Sequence, residues 1–135
     1  MACLDTTMLI DLSRTRSSYG RRAVRKCHDL LDRDEMLTTT QFNAAELYVG
    51  VQLARDPAAE LQKVEELLST LQILAFDERA AWIFAGATAR LRKAGRPAGD
   101  MDVLIGATAL AGAHVLVTRN PSHYEGIEHL AVESY

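Results

Sequence analysis

Apolar positions along the chain fall into two periods. Short runs at Ala2–Leu4, Met36–Thr39, Leu71–Phe76, His114–Val117 and Leu130–Glu133 predict strands. Between them lie stretches with helical spacing. Asp5–Leu12 predicts a short helix, with the Thr6 and Thr7 hydroxyls near its start and Asp5 as a possible cap. Ser17 and Ser18 suit the N-cap of a helix to about Arg33, with Ala23, Val24, Cys27, Leu30 and Leu31 facing inward. Residues 41–54 predict an apolar helix that stops near Asp56-Pro57, and Pro57 suits the first turn of the next, which carries Leu61, Val64, Leu67 and Leu68. Asp77 is placed to cap a helix through about Ala94, closed by Gly95. After the loop GRPAGD, Met101–Gly112 predicts a helix rich in Ala and Gly, able to approach a sheet closely. Helices alternating with short apolar runs imply an α/β fold with a mostly parallel sheet.

Length and composition narrow the picture. At 135 residues the chain is expected to form one domain, residues 1–135, burying roughly two-thirds of its unfolded surface. An apolar share of 48% and a charged share of 24% suit a globular protein. No run is long enough for a membrane span, and the opening MACLDTTMLIDL lacks the basic start of a signal peptide, so a cytoplasmic location is expected. Cys3 and Cys27 show no metal-binding spacing and read as free, partly buried thiols.

A net charge of −3 does not point to nucleic acid, but its distribution does. From Leu12 to His28 the chain carries Arg14, Arg16, Arg21, Arg22, Arg25 and Lys26 and no acid. Arg90, Arg92, Lys93 and Arg96 form a second such stretch. Local basic patches on an acidic protein can contact phosphates, although a solvated helix face has the same composition.

A few acids stand in otherwise uncharged surroundings. Asp5 is the only charge in the first ten residues, and Glu46 the only one between Met36 and Ala54. Asp100 and Asp102 are the only acids between Glu78 and Glu125. An isolated carboxylate on a buried element is costly unless it is paired or binds a metal. Asp5 ends the first strand and Asn120 lies just beyond the fourth, where ligands bind in open parallel sheets. Glu46 shares a helix face with Phe42, Ala45, Val49 and Gly50, so its carboxylate is expected to point toward the core or a cleft floor. Asp102 lies in a first helical turn, with Ile105 and Gly106 on the same side. If these elements converge, several carboxylates share one cleft with no Lys to neutralise them, and hard oxygen donors favour Mg²⁺ or Mn²⁺. Such a site suits phosphodiester cleavage. Each acid also has a structural reading: Asp100 as an N-cap, Asp102 as a favourable charge in a first turn, Glu46 as a bonded buried acid, and Asn120 as a turn residue.

LDTTMLIDL, AAELYVGV, GDMDVLIGATAL and VLVTRNPSHYEGI occur in the order found in PIN-domain ribonucleases, and the chain resembles especially the VapC toxins of VapBC toxin–antitoxin modules. The resemblance runs from Asp5 to the final strand. It implies a three-layer α/β fold with about five mostly parallel strands flanked by helices. It implies that Asp5 and Asp102 bind Mg²⁺, that Glu46 shares a second ion or positions water, and that Asn120 orients water or metal. Thr6 and Thr118 would support the site, and Asp100 would be an additional acid behind the ligands. The reaction implied is endonucleolytic RNA cleavage by metal-activated water. Arg14, Arg21, Arg22, Arg96 and Arg119 are the expected RNA contacts. His123 stands where relatives often carry an acid, and is expected to face RNA or serve structure rather than act as a base. The resemblance also implies a second copy of the chain as a dimer partner. The other implied partner is a small antitoxin, whose C-terminal segment would fill an apolar groove and reach the acids with an Arg; Tyr48 and Leu53 could line that groove or belong to the core.

Three other readings compete. One is a PIN nuclease of RNA processing or decay. Another is a degenerate PIN fold acting only as a binding partner, against which Asp5, Glu46 and Asp102 together argue. The third is a phosphorylatable receiver module using Asp77, which would need a Lys after the last strand, and none lies beyond Lys93. On charge repulsion alone, Asp5→Asn and Asp102→Asn are both expected to leave the fold intact or slightly more stable.

Overall fold

The computed structural model describes residues 1–135. In chain order the elements are β1 (Ala2–Leu4), α1 (Thr6–Leu12), α2 (Ser18–Asp32), β2 (Leu37–Thr40), α3 (Gln41–Leu53), α4 (Pro57–Ser69), β3 (Gln72–Leu74), α5 (Glu78–Lys93), α6 (Asp100–Ala111), β4 (Val115–Val117) and β5 (Val132–Glu133). A short 3₁₀ turn, Pro121–Tyr124, precedes β5. The five strands are all parallel, in the order β3-β2-β1-β4-β5. Most expected boundaries hold to within a residue or two, and the strands are shorter than the apolar runs that announced them.

Local chemistry explains the helix starts. The Ser17 hydroxyl accepts the Gly20 N–H, Asp56 that of Ala59 and Asp77 that of Ala80. Thr40 and Asn43 form a reciprocal capping box at the start of α3. Gly95, at φ +64°, follows α5 in the left-handed conformation that glycine tolerates best.

Strand alternation sorts the core onto two faces of the sheet. Ala2 and Leu4 join Met8, Leu9, Ala23, Leu30, Leu47, Val51 and Val64 beneath α1–α4. Cys3 and Leu116 point the other way, against Ile105, Ala109, Tyr124 and Ile127. Helices on both faces give the three layers. Burial pushes the Cys3 thiol up to about 12, so it stays protonated, and both cysteines are free. The polar strand LTTT survives burial because Thr38 and Thr39 donate to the carbonyls of Ala2 and Leu4, at 3.1 and 2.7 Å.

Three expectations need correction. Leu31 does not face inward: it is 52% exposed, because α2 presents Ala23 and Leu30 to the core. On α3 the packed stripe is Asn43, Ala44, Leu47 and Val51; Ala45, Val49 and Gly50 face solvent. Tyr48 and Leu53 are exposed rather than core.

Two stability predictions follow from the packing. A Cβ on Gly20 would lie 1.8 Å from the Arg14 carbonyl oxygen, a backbone atom that cannot swing aside. Gly20→Ala should therefore cost about 1–3 kcal/mol despite alanine's better helix propensity, as read by denaturant titration. Glu133 ties the C-terminal strand to α2 through Lys26 (2.6 Å) and Arg33 (3.0 Å), which hold its carboxyl down at about 2 against an ordinary 4.5. A depressed acid contributes stability above its unfolded value and loses it as pH falls through its folded one. Glu133→Gln should thus destabilise by on the order of 1 kcal/mol at pH 7, the pair being partly solvent-screened. The gap between variant and parent should close as the pH falls from about 4.5 to about 2.

Candidate metal and active site

The sheet changes winding direction at β1. The chain steps outward through β2 and β3 on one side, then returns to place β4 and β5 on the other. Asp5 follows β1 and Thr118 follows β4, so both sit at the carboxyl edge of the switch point.

Asp5 is 6% exposed and faces four donors. Its Oδ1 accepts from Asn43 Nδ2 (3.1 Å) and Tyr124 Oη (3.0 Å). Its Oδ2 accepts from Thr118 Oγ1 (2.7 Å) and Thr7 Oγ1 (3.3 Å). The donors come from α1, α3, the residue after β4 and the 3₁₀ turn. Asp5 occupies the N-cap position of α1 but makes no side-chain cap bond, so its carboxylate is turned wholly to this cluster. The orientation of Asn43 is set locally. Its Oδ1 takes the Thr40 N–H and hydroxyl, which leaves Nδ2 for Asp5 and for Thr6 Oγ1 at 3.0 Å. Burial and the Asp5 charge push the Tyr124 phenol far up, so it stays a neutral donor.

Thr6 passes the network on, donating to Glu46 Oε1 at 3.0 Å. Burial is the main cause that raises the Glu46 carboxyl; Thr6 opposes it, and the charges of Asp5 and Asp102 add to it. Asp102 is raised too, first by burial and also by Asp5, against the lowering effect of His123, whose Nδ1 lies 3.3 Å from its Oδ2. The three acids therefore feel one another, and no Lys or Arg pairs with any of them. No three acid, imidazole or thiol side chains converge as a ready-made metal cage. Glu46 is drawn to Thr6 and Asp102 to His123. The donor chemistry nonetheless fits a hard divalent cation: three carboxylates near one another, answered by neutral donors and His123 but by no Lys or Arg.

The other expected residues divide. Thr6 and Thr118 touch the acids directly. The Asn120 side chain makes no hydrogen bond; its backbone N–H donates to Thr118 Oγ1 at 3.1 Å, and it opens the 3₁₀ turn. Asp100 is the first residue of α6 rather than its cap, which is Gly99, and it lines a separate hollow with Thr88 and Arg92. Arg119 is not free for RNA: its guanidinium pairs with buried Asp11 at 3.2 Å and stacks over Tyr19 at 4.4 Å. Asp77 caps α5 and takes no part in the cluster. Sequence reading passed over Thr7, Asn43 and Tyr124 as ligands of Asp5. Thr7 was noted only as a hydroxyl near a helix start, and the Thr40–Asn43 spacing of a capping pair was the one local signal that could have singled out Asn43.

The chain as a whole is similar to known proteins. The family profile described as PIN domain matches residues 2–126. "Ribonuclease VapC2" of Haemophilus influenzae is 27% identical over 137 residues, spanning 98% of this chain and 96% of that protein. The "tRNA(fMet)-specific endonuclease VapC" of Salmonella typhimurium is 31% identical over 90 residues, 67% of this chain and 68% of that one. Among solved structures, VapBC-1 of nontypeable Haemophilus influenzae matches with a TM-score of 0.86 at 24% identity, covering 98% of this chain and 96% of its own. DNA-bound VapBC of Salmonella typhimurium matches at 0.83 and 26%, with the same coverage.

The network reverses one expectation from charge alone. Asn at position 5 would turn an amide N–H₂ toward groups that now donate, so Asp5→Asn should cost about 1–3 kcal/mol. Asp102 and Glu46 behave oppositely. Their raised folded values mean that ionisation works against the fold as pH rises through them. Asp102→Asn should therefore melt no lower than the parent at pH 7 without metal. Differential scanning calorimetry of the two variants side by side tests this, and equal losses in both would mean that Asp102 is as tightly bonded as Asp5.

Proposed function

This chain belongs to the PIN domain family, and from that premise we propose that it is a Mg²⁺-dependent endoribonuclease, with Mn²⁺ able to substitute, acting as the toxin of a toxin–antitoxin pair. The observation that carries the reading is that Asp5, Glu46 and Asp102 lie close enough at the carboxyl edge of the sheet for charge on Asp5 to raise both other acids, with no Lys or Arg paired to any of them. The names of the relatives, ribonuclease and endonuclease, support the same reaction class.

Asp5 and Asp102 would hold the ion, and Glu46 would either share a second one or position the water. Bound there, the ion supplies a Lewis acid to the phosphodiester. The chain's own groups do the rest. Tyr124, Asn43, Thr7 and Thr118 hold the Asp5 carboxylate in one orientation. Glu46 has one oxygen taken by Thr6, and its Oε2, to which no side chain donates, is left for the attacking water. Its raised pKa suits it to receive that water's proton. Asn120 stands beside Thr118 to orient water at the rim.

The partners follow from the same reading. An apolar groove between α1, α3 and α4, walled by Leu9, Leu47, Val64 and Leu67, runs up to Glu46. We assign it to the C-terminal segment of a small antitoxin; the solved relatives are VapBC complexes. A second copy of the chain completes the toxin as a homodimer.

Purified protein should cleave a mixed RNA pool with Mg²⁺ or Mn²⁺ and stop when EDTA is added. Asp102→Asn should lose at least about a hundredfold, no less than removing a partner of a metal ligand costs. Glu46→Gln should lose roughly 10²–10⁴-fold in kcat. Cleavage that persists in EDTA would remove the metal from the reaction.

A further inference from the structure

The segment after β4 supplies the shortest hydrogen bond to Asp5. Thr118 Oγ1 donates to Asp5 Oδ2 at 2.7 Å, and Thr7 Oγ1 donates to the same oxygen at 3.3 Å. A hydroxyl proton turns freely about its C–O bond unless neighbours fix it. Here backbone donors do so. The Arg119 N–H donates to Thr7 Oγ1 at 3.2 Å, and the Asn120 N–H to Thr118 Oγ1 at 3.1 Å. With those lone pairs taken, each hydroxyl keeps its proton for the cluster, where the two oxygens also lie 3.4 Å apart. The donors on Asp5 Oδ2 therefore depend on where residues 119 and 120 are held.

Arg119 is held at both ends by one face of α1. Thr7 and Asp11 stand four residues apart on that helix, so they share a face. Thr7 takes the Arg119 backbone N–H, and Asp11 Oδ1 takes its guanidinium through Nη1 at 3.2 Å. The other oxygen of buried Asp11 accepts the Tyr135 hydroxyl at 2.8 Å. Tyr135 packs against the core beneath α1–α4, and burial together with Asp11 pushes its phenol up, so it stays a neutral donor. On its other side the Arg119 guanidinium lies over the Tyr19 ring at 4.4 Å. Neither Asp11 nor Tyr135 bonds to Asp5, Glu46 or Asp102.

We propose that Asp11 and Tyr135, acting through Arg119, are positioning residues of the metal site: they hold residues 118–120 against α1, and that hold aims the Thr7 and Thr118 hydroxyls at Asp5. The proposal rests on the reading of Asp5 as a metal ligand. A carboxylate free to rotate offers its lone pairs to a cation only part of the time. Groups that orient a metal ligand are worth about 10–100-fold in affinity, and Asp11 stands one bond farther out, so a loss of roughly tenfold is expected.

The test uses the full chain and reads amide hydrogen exchange by NMR without metal, Mn²⁺ affinity by calorimetric titration, and cleavage kinetics. Asp11→Asn keeps the shape and removes the charge that holds the guanidinium. It should speed exchange severalfold at the Arg119 and Asn120 amides relative to the Leu116 amide, which is bonded to Ala131 in the sheet. It should also weaken Mn²⁺ binding roughly tenfold and lower kcat at fixed Mn²⁺ with the KM for RNA unchanged. Tyr135→Phe removes a single hydroxyl and should move each readout the same way by less, which decides the question if Asp11→Asn does not fold. Arg119→Lys keeps a cation opposite Asp11 and should retain more Mn²⁺ affinity than Arg119→Gln. Leu30→Ala, a cavity in the core on α2, should melt lower with Mn²⁺ affinity unchanged. An equal loss of affinity in Leu30→Ala would reduce the Asp11 effect to stability and overturn the proposal. Unchanged affinity in Asp11→Asn and Tyr135→Phe, with the parent binding Mn²⁺, would overturn it too. So would a raised KM in Arg119→Gln with affinity intact, which would assign the guanidinium to RNA. A parent that binds Mn²⁺ and responds to Asp11→Asn but cuts no RNA leaves the positioning role standing and removes the nuclease reading; one that binds no Mn²⁺ removes both.

Discussion

A carboxylate buried at the end of a strand, with no cation beside it, is the constraint on which this structure turns. Asp5 could not remain there unsolvated unless donors came to it, and four neutral ones do. Each is delivered by a different part of the chain: the first turn of α1, the capping box of α3, the residue after β4 and the 3₁₀ turn. Bonding one side chain therefore fixes the relative positions of most of the carboxyl edge of the sheet. Neutral donors matter as much as their number. An Arg or Lys in their place would have satisfied Asp5 and cancelled the charge that a metal ion needs.

Charge elsewhere is arranged so that this site stays uncompensated. Asp11, a turn and a half along α1, is buried even more fully than Asp5, yet it is answered by Arg119 and the Tyr135 hydroxyl. Glu133 is answered by Lys26 and Arg33. Arg119, Lys26 and Arg33 are thus paired with structural acids, while no Lys or Arg pairs with Asp5, Glu46 or Asp102. Arg119 shows the distinction sharply. It follows Thr118, a direct partner of Asp5, but its guanidinium turns away to Asp11 while its backbone N–H contacts Thr7. The site and the structural ion pair are neighbours in sequence and are separated by the direction of one side chain.

The close packing that supports the network also explains why α6 is rich in small residues. A Cβ at Gly106 would meet Ile127 at 2.2 Å and Tyr124 at 3.4 Å, so the absence of a side chain there lets the phenol reach Asp5 from beneath the helix. The Ala- and Gly-rich pattern was legible as a sign of close approach. That its object would be Tyr124 and Ile127, as much as the sheet, was not.

By itself the sequence determined what depends on neighbours a few residues apart. Periods of 2 and 3.6 placed the strands and helices; Ser17, Pro57 and Asp77 marked helix starts; Gly95 marked an end. The isolation of Asp5, Glu46 and Asp102 among apolar residues was visible because burying a charge is costly wherever it happens. Tertiary structure alone decided which groups meet. Tyr124 and Asp5 lie 119 positions apart, Thr118 and Asp5 113, and Asp11 and Arg119 108. Such contacts arise from the winding of the sheet, not from any local pattern. For the same reason Asp100 and Asp102, two residues apart, part company: on a helix such residues do not share a face, and only Asp102 is turned to His123 and the charge of Asp5.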